Sequence, residues 1–375
     1  MSRFRFMMAG DTLSFTLNRE KDPFQYVSAL RSQCAAAFCN LEAPLAEAAQ
    51  PARHPVIPLG NIPGQFRFLK ESGRFTAVTV ANNHIADYGR PGLLQTLEAL
   101  DKAGIAHTGA ASTPEAALEP AMMAIQGVKI AFVGLSYSAS APCPGVHTAL
   151  LDSSHAAKAI KRARDIGAHI VICSPHWGLE YAAYPTPNQQ ALGRALIDLG
   201  ADIVAGHHPH IIQGVEQYKN KPIYYSLGNF NMTDDWSRRP KFGQYGAVLL
   251  IDTENSKITR HEIVPIKINE HYQPCLVPET THQRFMQILA TLSEPLARGI
   301  TWPYWLRSCG RTAYNARVAA WRMGMPRRTA RSECWRVRLR CAADLLHPLR
   351  LAWWACSLAL SALSPNAAFR LPEDL

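Results

Sequence analysis

The sequence predicts an α/β layered fold, and three observations lead there. Short apolar runs alternate with stretches of helical spacing through roughly residue 235. Several runs, such as KIAFVGL (129–135) and the core of HIVICSPHWG (169–178), are nearly continuous in apolar residues, as buried strands are. Polar clusters follow these runs on one side only, the C-terminal side, where α/β proteins assemble their sites.

The elements follow in chain order. FRFMMA (4–9) is the first core strand and stops at Gly10-Asp11. AAAFCNLE (35–42) follows a helix placed around 24–33. A Pro-rich loop, PARHPVIPLGNIP (51–63), leads to a short helix and then to the strand FTAVTVANNH (75–84). GLLQTLEALDKAG (92–104) has helical spacing and a Gly stop. A helix over 155–166 joins the strands 129–135 and 169–178. QQALGRALIDLGADIVAGHHPH (189–210) reads as helix, Gly turn and strand. PIYYSLGNF (222–230) is a further strand, and 246–268 form a closing β-hairpin. There is no internal repeat and no low-complexity segment.

The 375 residues suffice for one large domain with an appendage, or for two domains. With 47% hydrophobic and 18% charged residues, the chain has a true core. Its net charge of +10 is unevenly placed. Residues 301–375 hold twelve Arg, no Lys and four acids, so +8 of the charge belongs to this tail. A folding domain over 1–270 and a basic Arg/Trp-rich extension over 271–375 are expected. Because the tail lies beyond the last predicted core strand, the domain is expected to fold without 301–375. Nine scattered cysteines with no CxxC pair fit reduced thiols in a cytoplasmic protein. The N-terminus, MSRFRFMMAGD, is too short in apolar residues for a signal peptide. No run reaches the roughly 18 apolar residues of a membrane span.

The polar clusters are Asp11, Glu42, Asn82-Asn83-His84, His176 and, in AGHHPH (205–210), His207, His208 and His210. Carboxylates, an amide carbonyl and imidazoles form a mixed O/N donor set suited to divalent Mn, Fe, Zn or Ni, without the thiolates of a structural zinc site. Two such ions about 3.5–4 Å apart lower the pKa of a bound water and clamp the oxygens of a phosphoryl group. His208 and His210, two apart, lie on one side of an extended segment, whereas His207 is expected to point away.

GDT, NLE, ANNHIADYG, HWGLEY, GHHPH and SLGNF occur in the order and type seen in the CapA family of bacterial capsule and poly-γ-glutamate synthesis proteins. That family resembles a branch of the calcineurin-like metallophosphatase superfamily, which implies a four-layer α/β sandwich. The resemblance covers about residues 3–268. It implies that Asp11 binds a first metal, that Glu42 bridges, and that Asn83, His176 and His208 bind a second. His210 returns to the first. His84 matches the superfamily's non-ligand histidine, which stabilises the transition state or protonates the leaving oxygen. Asp87, three residues on, would orient the His84 ring.

Two features depart from the superfamily pattern. The first motif is Asp11-Thr12-Leu13 where Asp-x-His is usual, so one imidazole is missing, and the bridging Asp is a longer Glu. The second site looks complete and the first weak, so the centre is mononuclear or loosely dinuclear, with one or two divalent ions (Mn, Fe or Zn). Glu180 has two readings, a substrate contact or an ion pair with a nearby Arg. Asn229 is a turn residue or, as the resemblance favours, faces the substrate. Asn82 caps a backbone turn.

The segment 333–363 combines dense Arg, three Trp and a 13-residue apolar run. It reads as an interfacial amphipathic helix for an anionic membrane surface, or as a helix packed on the core or a second subunit. No nucleic-acid module frames the arginines. The cysteines and this tail point to a cytoplasmic protein, peripheral at the inner membrane, and the resemblance implies that it hydrolyses a phosphoester or acyl-phosphate while a capsular or poly-γ-glutamate-like polymer is made. Two other readings stand beside it: a metal-binding accessory subunit of a polymer synthase or exporter, and a metal-dependent amide hydrolase.

Overall fold

The structure, a computed structural model, describes residues 2–13, 22–45, 51, 58–137, 143–232 and 241–324. The opening apolar run becomes the central strand β1 (Arg3–Leu13), whose side chains alternate between two apolar layers. Phe4, Phe6 and Met8 face a second sheet, while Met7 and Ala9 face helices. Successive residues of a strand point to opposite faces, so a strand buried on both sides must be apolar at every position.

Following β1 in chain order come β2 (Ala36–Leu41), β3 (Ala77–Thr79), β4 (Ala106–Thr108), β5 (Ala110–Ala111), β6 (Ala121–Ile125), β7 (Val128–Ser136) and β8 (His147–Thr148). Then come β9 (Ile170–His176), β10 (Ile203–Ala205), β11 (Val215–Tyr218), β12 (Lys221–Tyr224), β13 (Asn229–Met232), β14 (Tyr245–Glu254), β15 (Lys257–Ile268) and β16 (Pro274–Leu276). The first sheet runs β16-β15-β14-β1-β2-β3-β4, with β13 also beside β1, and the second runs β11-β12-β10-β9-β7-β6. The pairs β1–β2–β3–β4 and β7–β9–β10–β12 are parallel.

The sheets pack face to face. Phe38 of β2 stacks on Phe132 of β7 with ring centroids 4.1 Å apart, and Phe6 meets the same ring edge-on. On β9 the alternation repeats, with Ile170 and Ile172 between the sheets and Val171 and Cys173 turned to the outer helices. Helices Pro63–Glu71 and Gly89–Lys102 cover the first sheet through Phe68, Leu69, Leu93 and Leu100. Helices Ser153–Asp165, Pro187–Asp198 and Glu279–Arg298 cover the second through Ile160, Leu196 and Phe285. Each fully buried side chain of this size contributes about 1.5–3 kcal/mol. The result is the expected four-layer α/β sandwich.

The structure corrects three expectations about elements. PIYYSLGNF is not one strand: Lys221–Tyr224 pairs in the second sheet and Asn229–Met232 in the first, so the chain crosses between sheets at 225–228. FTAVTVANNH keeps only Ala77–Thr79 as strand, because Asn82 ties the following residues into a turn. The chain past 270 also remains part of the core over its described residues. β16 adds to the first sheet, and Trp305, Leu306 and Cys309 are buried against the second, with Trp305 Nε1 donating to Tyr184 O at 3.0 Å. A cut at 301 therefore removes core side chains. The segment 333–363 lies outside the described residues.

Candidate metal centre

Two glycines set the site's backbone. A Cβ on Gly10 would stand 1.9 Å from Gly228 O, so only glycine lets β13 replace β14 beside β1. Asp11 N then donates to Gly228 O at 3.0 Å, and the Asp11 side chain is fully buried. A Cβ on Gly206 would stand 2.2 Å from Tyr225 O, which is why the HHPH stretch begins after a glycine. His208 (φ 93) and His210 (φ 58) then adopt left-handed backbone that non-glycine residues seldom take. Such strain clusters at functional sites.

The structure brings Asp11, Glu42, Asn83, His176, His208 and His210 together at the C-terminal ends of the parallel strands of both sheets. The carboxylate oxygens of Asp11 and Glu42 and a nitrogen of His176 lie within 4.8 Å of one another. His176 Nε2 is 2.7 Å from Asn83 Oδ1 and 3.9 Å from Glu42 Oε1. His210 Nε2 is also 3.9 Å from Glu42 Oε1, and His210 Nδ1 is 3.4 Å from Asp11 Oδ2. The rings of His176 and His208 are 4.7 Å apart.

Asn40 was not singled out in the sequence, yet it organises the acids. Its Nδ2 donates to Asp11 Oδ1 at 2.8 Å and to Glu42 Oε2 at 3.1 Å. The signal was present: Asn40 and Glu42 are two residues apart along an extended stretch and share a face. His207 also departs from expectation. It is fully buried, with Nδ1 3.2 Å from Asp11 Oδ1, although neither ring nitrogen makes a hydrogen bond of regular geometry. The short strand β10 carries it inward because His207 still pairs with β9, at His176.

Asn229, expected at the substrate, is instead buried against His210. Its Oδ1 lies 2.9 Å from His210 Nδ1 and its Nδ2 donates to Gly243 O at 2.8 Å. Asn82 takes the expected turn role, accepting from His84 N at 3.1 Å and donating to Leu41 O at 2.9 Å. His84 is partly exposed, and its Nδ1 lies 2.7 Å from Oδ2 of the buried Asp87. Leu59 N donates to that same oxygen at 2.9 Å. Glu180 is half-buried and makes no ion pair with an arginine among the described residues; its carboxylate stands with His208 and His210 instead.

The electrostatics expose a shortage of positive charge. Burial, and then the Asp11 charge, push the Glu42 carboxyl well above its ordinary range. Burial opposes ionisation of Asp11, but contacts with the His207 and His210 imidazoles hold it well below the usual carboxylate range. Burial also disfavours the charged form of His210, yet Glu42 and Asp11 raise it to about 10. His176 is driven the other way, by burial and by His208. Two fully buried carboxylates thus share the raised imidazole of His210, and any buried charge left unmatched carries a large desolvation penalty.

The donors fit a divalent ion. Glu42 Oε1 and His208 Nδ1 are buried without a hydrogen-bond partner among the described residues. The 3.9 Å separations around Glu42 Oε1 are too long for a hydrogen bond. They suit atoms that each lie about 2.0–2.2 Å from one ion, since two such ligands stand up to roughly 4 Å apart.

A two-sheet α/β sandwich with a buried carboxylate–imidazole centre between its sheet ends is the class of protein that fold and site define. The chain belongs to the family described as bacterial capsule synthesis protein PGA_cap, whose profile matches residues 7–234. It is 30% identical over 243 residues to the capsule biosynthesis protein CapA of Bacillus anthracis, covering 62% of this chain and 57% of that protein. It is 35% identical over 203 residues to the PGA biosynthesis protein CapA of Bacillus subtilis, covering 52% of each. The chain thus spans about half the length of the curated relatives it matches. A 5'-nucleotidase from Candida albicans superposes with a TM-score of 0.43 at 12% identity, over 78% of this chain and 58% of that one.

Proposed function

We propose that this protein is a divalent-metal-dependent hydrolase of phosphoesters or acyl-phosphates serving the synthesis of a capsular or poly-γ-glutamate-type polymer. The observation that carries the reading is Glu42 Oε1: fully buried, without a hydrogen bond among the described residues, and equidistant from two imidazoles. Asp11, Glu42, Asn83, His176, His208 and His210 would hold the metal, one or two ions of Mn, Fe or Zn. When bound, such an ion supplies Lewis acidity toward a phosphoryl or carbonyl oxygen and activates water.

The chain's own residues supply the rest. Asn40 fixes the carboxylates of Asp11 and Glu42 through two donated hydrogen bonds. Asn229 orients the His210 ring so that Nε2 faces Glu42. His84, held by Asp87, keeps Nε2 for the substrate and serves as the acid that protonates the leaving oxygen. Its partial exposure supports access of the substrate to this ring.

A second reading is favoured by the Asp11-Thr12-Leu13 motif, which lacks an imidazole the superfamily usually has. In it the protein binds metal without turnover, as an accessory subunit of a polymer synthase or exporter. The names of the two Bacillus relatives support the polymer context and are silent on the reaction. Among the described residues no helix is long and apolar enough to cross a membrane. Peripheral attachment at the inner membrane through residues 333–363, and a cytoplasmic location, belong to the same proposal.

The deciding experiment is elemental analysis of the purified protein, paired with a panel of phosphoester and acyl-phosphate substrates in Mn²⁺, Fe²⁺ and Zn²⁺. Metal with turnover supports the hydrolase. Metal without turnover on any substrate supports the accessory reading, and protein that takes up no metal overturns both.

A further inference from the structure

We propose that Glu180 is a metal ligand, acting with His208 and His210 at the same centre. The inference rests on the metal reading above and adds a carboxylate to it. Three observations converge on Glu180.

The first is its surroundings. Ligand atoms of Glu180, His208 and His210 all lie within 4.8 Å of one another, and His210 also stands 3.4 Å from Asp11 Oδ2. Glu180 makes no hydrogen bond or ion pair among the described residues, and His208 Nδ1 is buried without a hydrogen-bond partner. A cation held between Glu180 and His208 would give the buried Nδ1 the partner it lacks.

The second is how firmly the two loops are joined. Tyr181 N donates to Pro209 O at 2.9 Å, Trp177 N to His207 O at 3.1 Å, and His207 N to Pro175 O at 2.9 Å. The backbone carrying Glu180 is thus laced to the backbone carrying both histidines. Tyr181 also takes a left-handed φ of 60, matching the strain at His208 and His210. Strain kept at three neighbouring positions is the signature of side chains being aimed.

The third is charge and donor count. A carboxylate from the HWGLEY stretch adds an anionic donor beside the His208 and His210 imidazoles. Two ions bring four positive charges, and Asp11, Glu42 and Glu180 together supply three negative ones. One oxygen and two nitrogens favour a borderline divalent cation, such as Zn²⁺ or Fe²⁺, over Mg²⁺ or Ca²⁺.

The test is a calorimetric titration of the metal-stripped full chain with Mn²⁺ and, separately, Zn²⁺. Wild type, Glu180→Gln, Glu180→Ala and Glu42→Gln are compared, with apoprotein melting curves to show that each folds. Wild type is expected to bind two ions, and both Glu180 variants to lose one binding event or weaken it about 10–100-fold. Glu42→Gln is expected to weaken both events. If the Glu180 variants bind the wild-type number of ions at wild-type affinity while Glu42→Gln does not, the inference is overturned and the metal reading stands. If wild type itself binds neither ion, the metal reading fails and takes the inference with it.

Discussion

Asn229 Oδ1 sits 2.9 Å from His210 Nδ1, and Asn229 is itself anchored by donating to Gly243 O at 2.8 Å. With Nδ1 engaged by Asn229, Nε2, which faces Glu42, is the nitrogen His210 would offer to a metal. Asn229→Ala should therefore weaken metal binding about 10–100-fold without touching a ligand. Asn229→Asp, which still accepts from Nδ1, should recover most of the loss. Competition with a chelator of known affinity reads the effect, and equal affinity in Asn229→Ala and wild type would contradict it.

His84 separates binding from chemistry. His84→Ala should leave metal content unchanged and lower turnover on the best substrate of the panel about 10²–10⁴-fold. Asp87→Asn should act in the same direction, because it weakens the 2.7 Å contact that holds the ring. Loss of metal from His84→Ala protein would make His84 a ligand and refute the assigned role.

The two adjacent histidines should behave differently. His208→Ala should sharply reduce bound divalent metal. His207→Ala should keep the metal and lower thermal stability, by about 1–3 kcal/mol, since it empties a fully buried position beside Asp11. Metal analysis and melting curves on the same samples distinguish the outcomes. A His207→Ala protein that folds normally but is metal-free would place His207 among the ligands.

The described part of the C-terminal segment includes the helix Trp302–Gly324. Deleting residues 325–375 should leave the melting temperature near wild type. Deleting 301–375 should destabilise the protein, because Trp305 and Leu306 leave the core, and truncating one such large side chain costs about 3–5 kcal/mol. The 325–375 deletion should also abolish sedimentation with anionic vesicles. If full-length protein ignores those vesicles, the membrane proposal falls.

Much of this architecture was legible because strands buried on both faces carry continuous apolar runs, as Phe6 to Ala9 do in β1 and Ile170 to Cys173 in β9. The clustering of Asp11, Glu42, Asn83, His176, His208 and His210 was legible because each follows or ends such a run. Three things were not. The split of PIYYSLGNF between two sheets depends on the close approach of Gly228 to Gly10, residues far apart in sequence. The inward turn of His207 depends on its bridge to His176, again a non-local pairing. The packing of Trp305 beneath Tyr184 could not be seen because the helix bearing it follows the last strands and shares their apolar layer. Local pattern gives the elements, and long-range contacts decide which side chains meet.

The central claim is that the sheet ends form a divalent-metal centre, and anomalous diffraction tests it most directly. Crystals grown with Mn²⁺ or Zn²⁺ and measured at the metal's absorption edge should show a strong anomalous peak among Glu42, His176 and His208. His176 and His208 nitrogens should lie about 2.0–2.3 Å from it. An edge-specific map with no peak in that cluster, from protein that is folded and soaked in excess metal, would contradict the account.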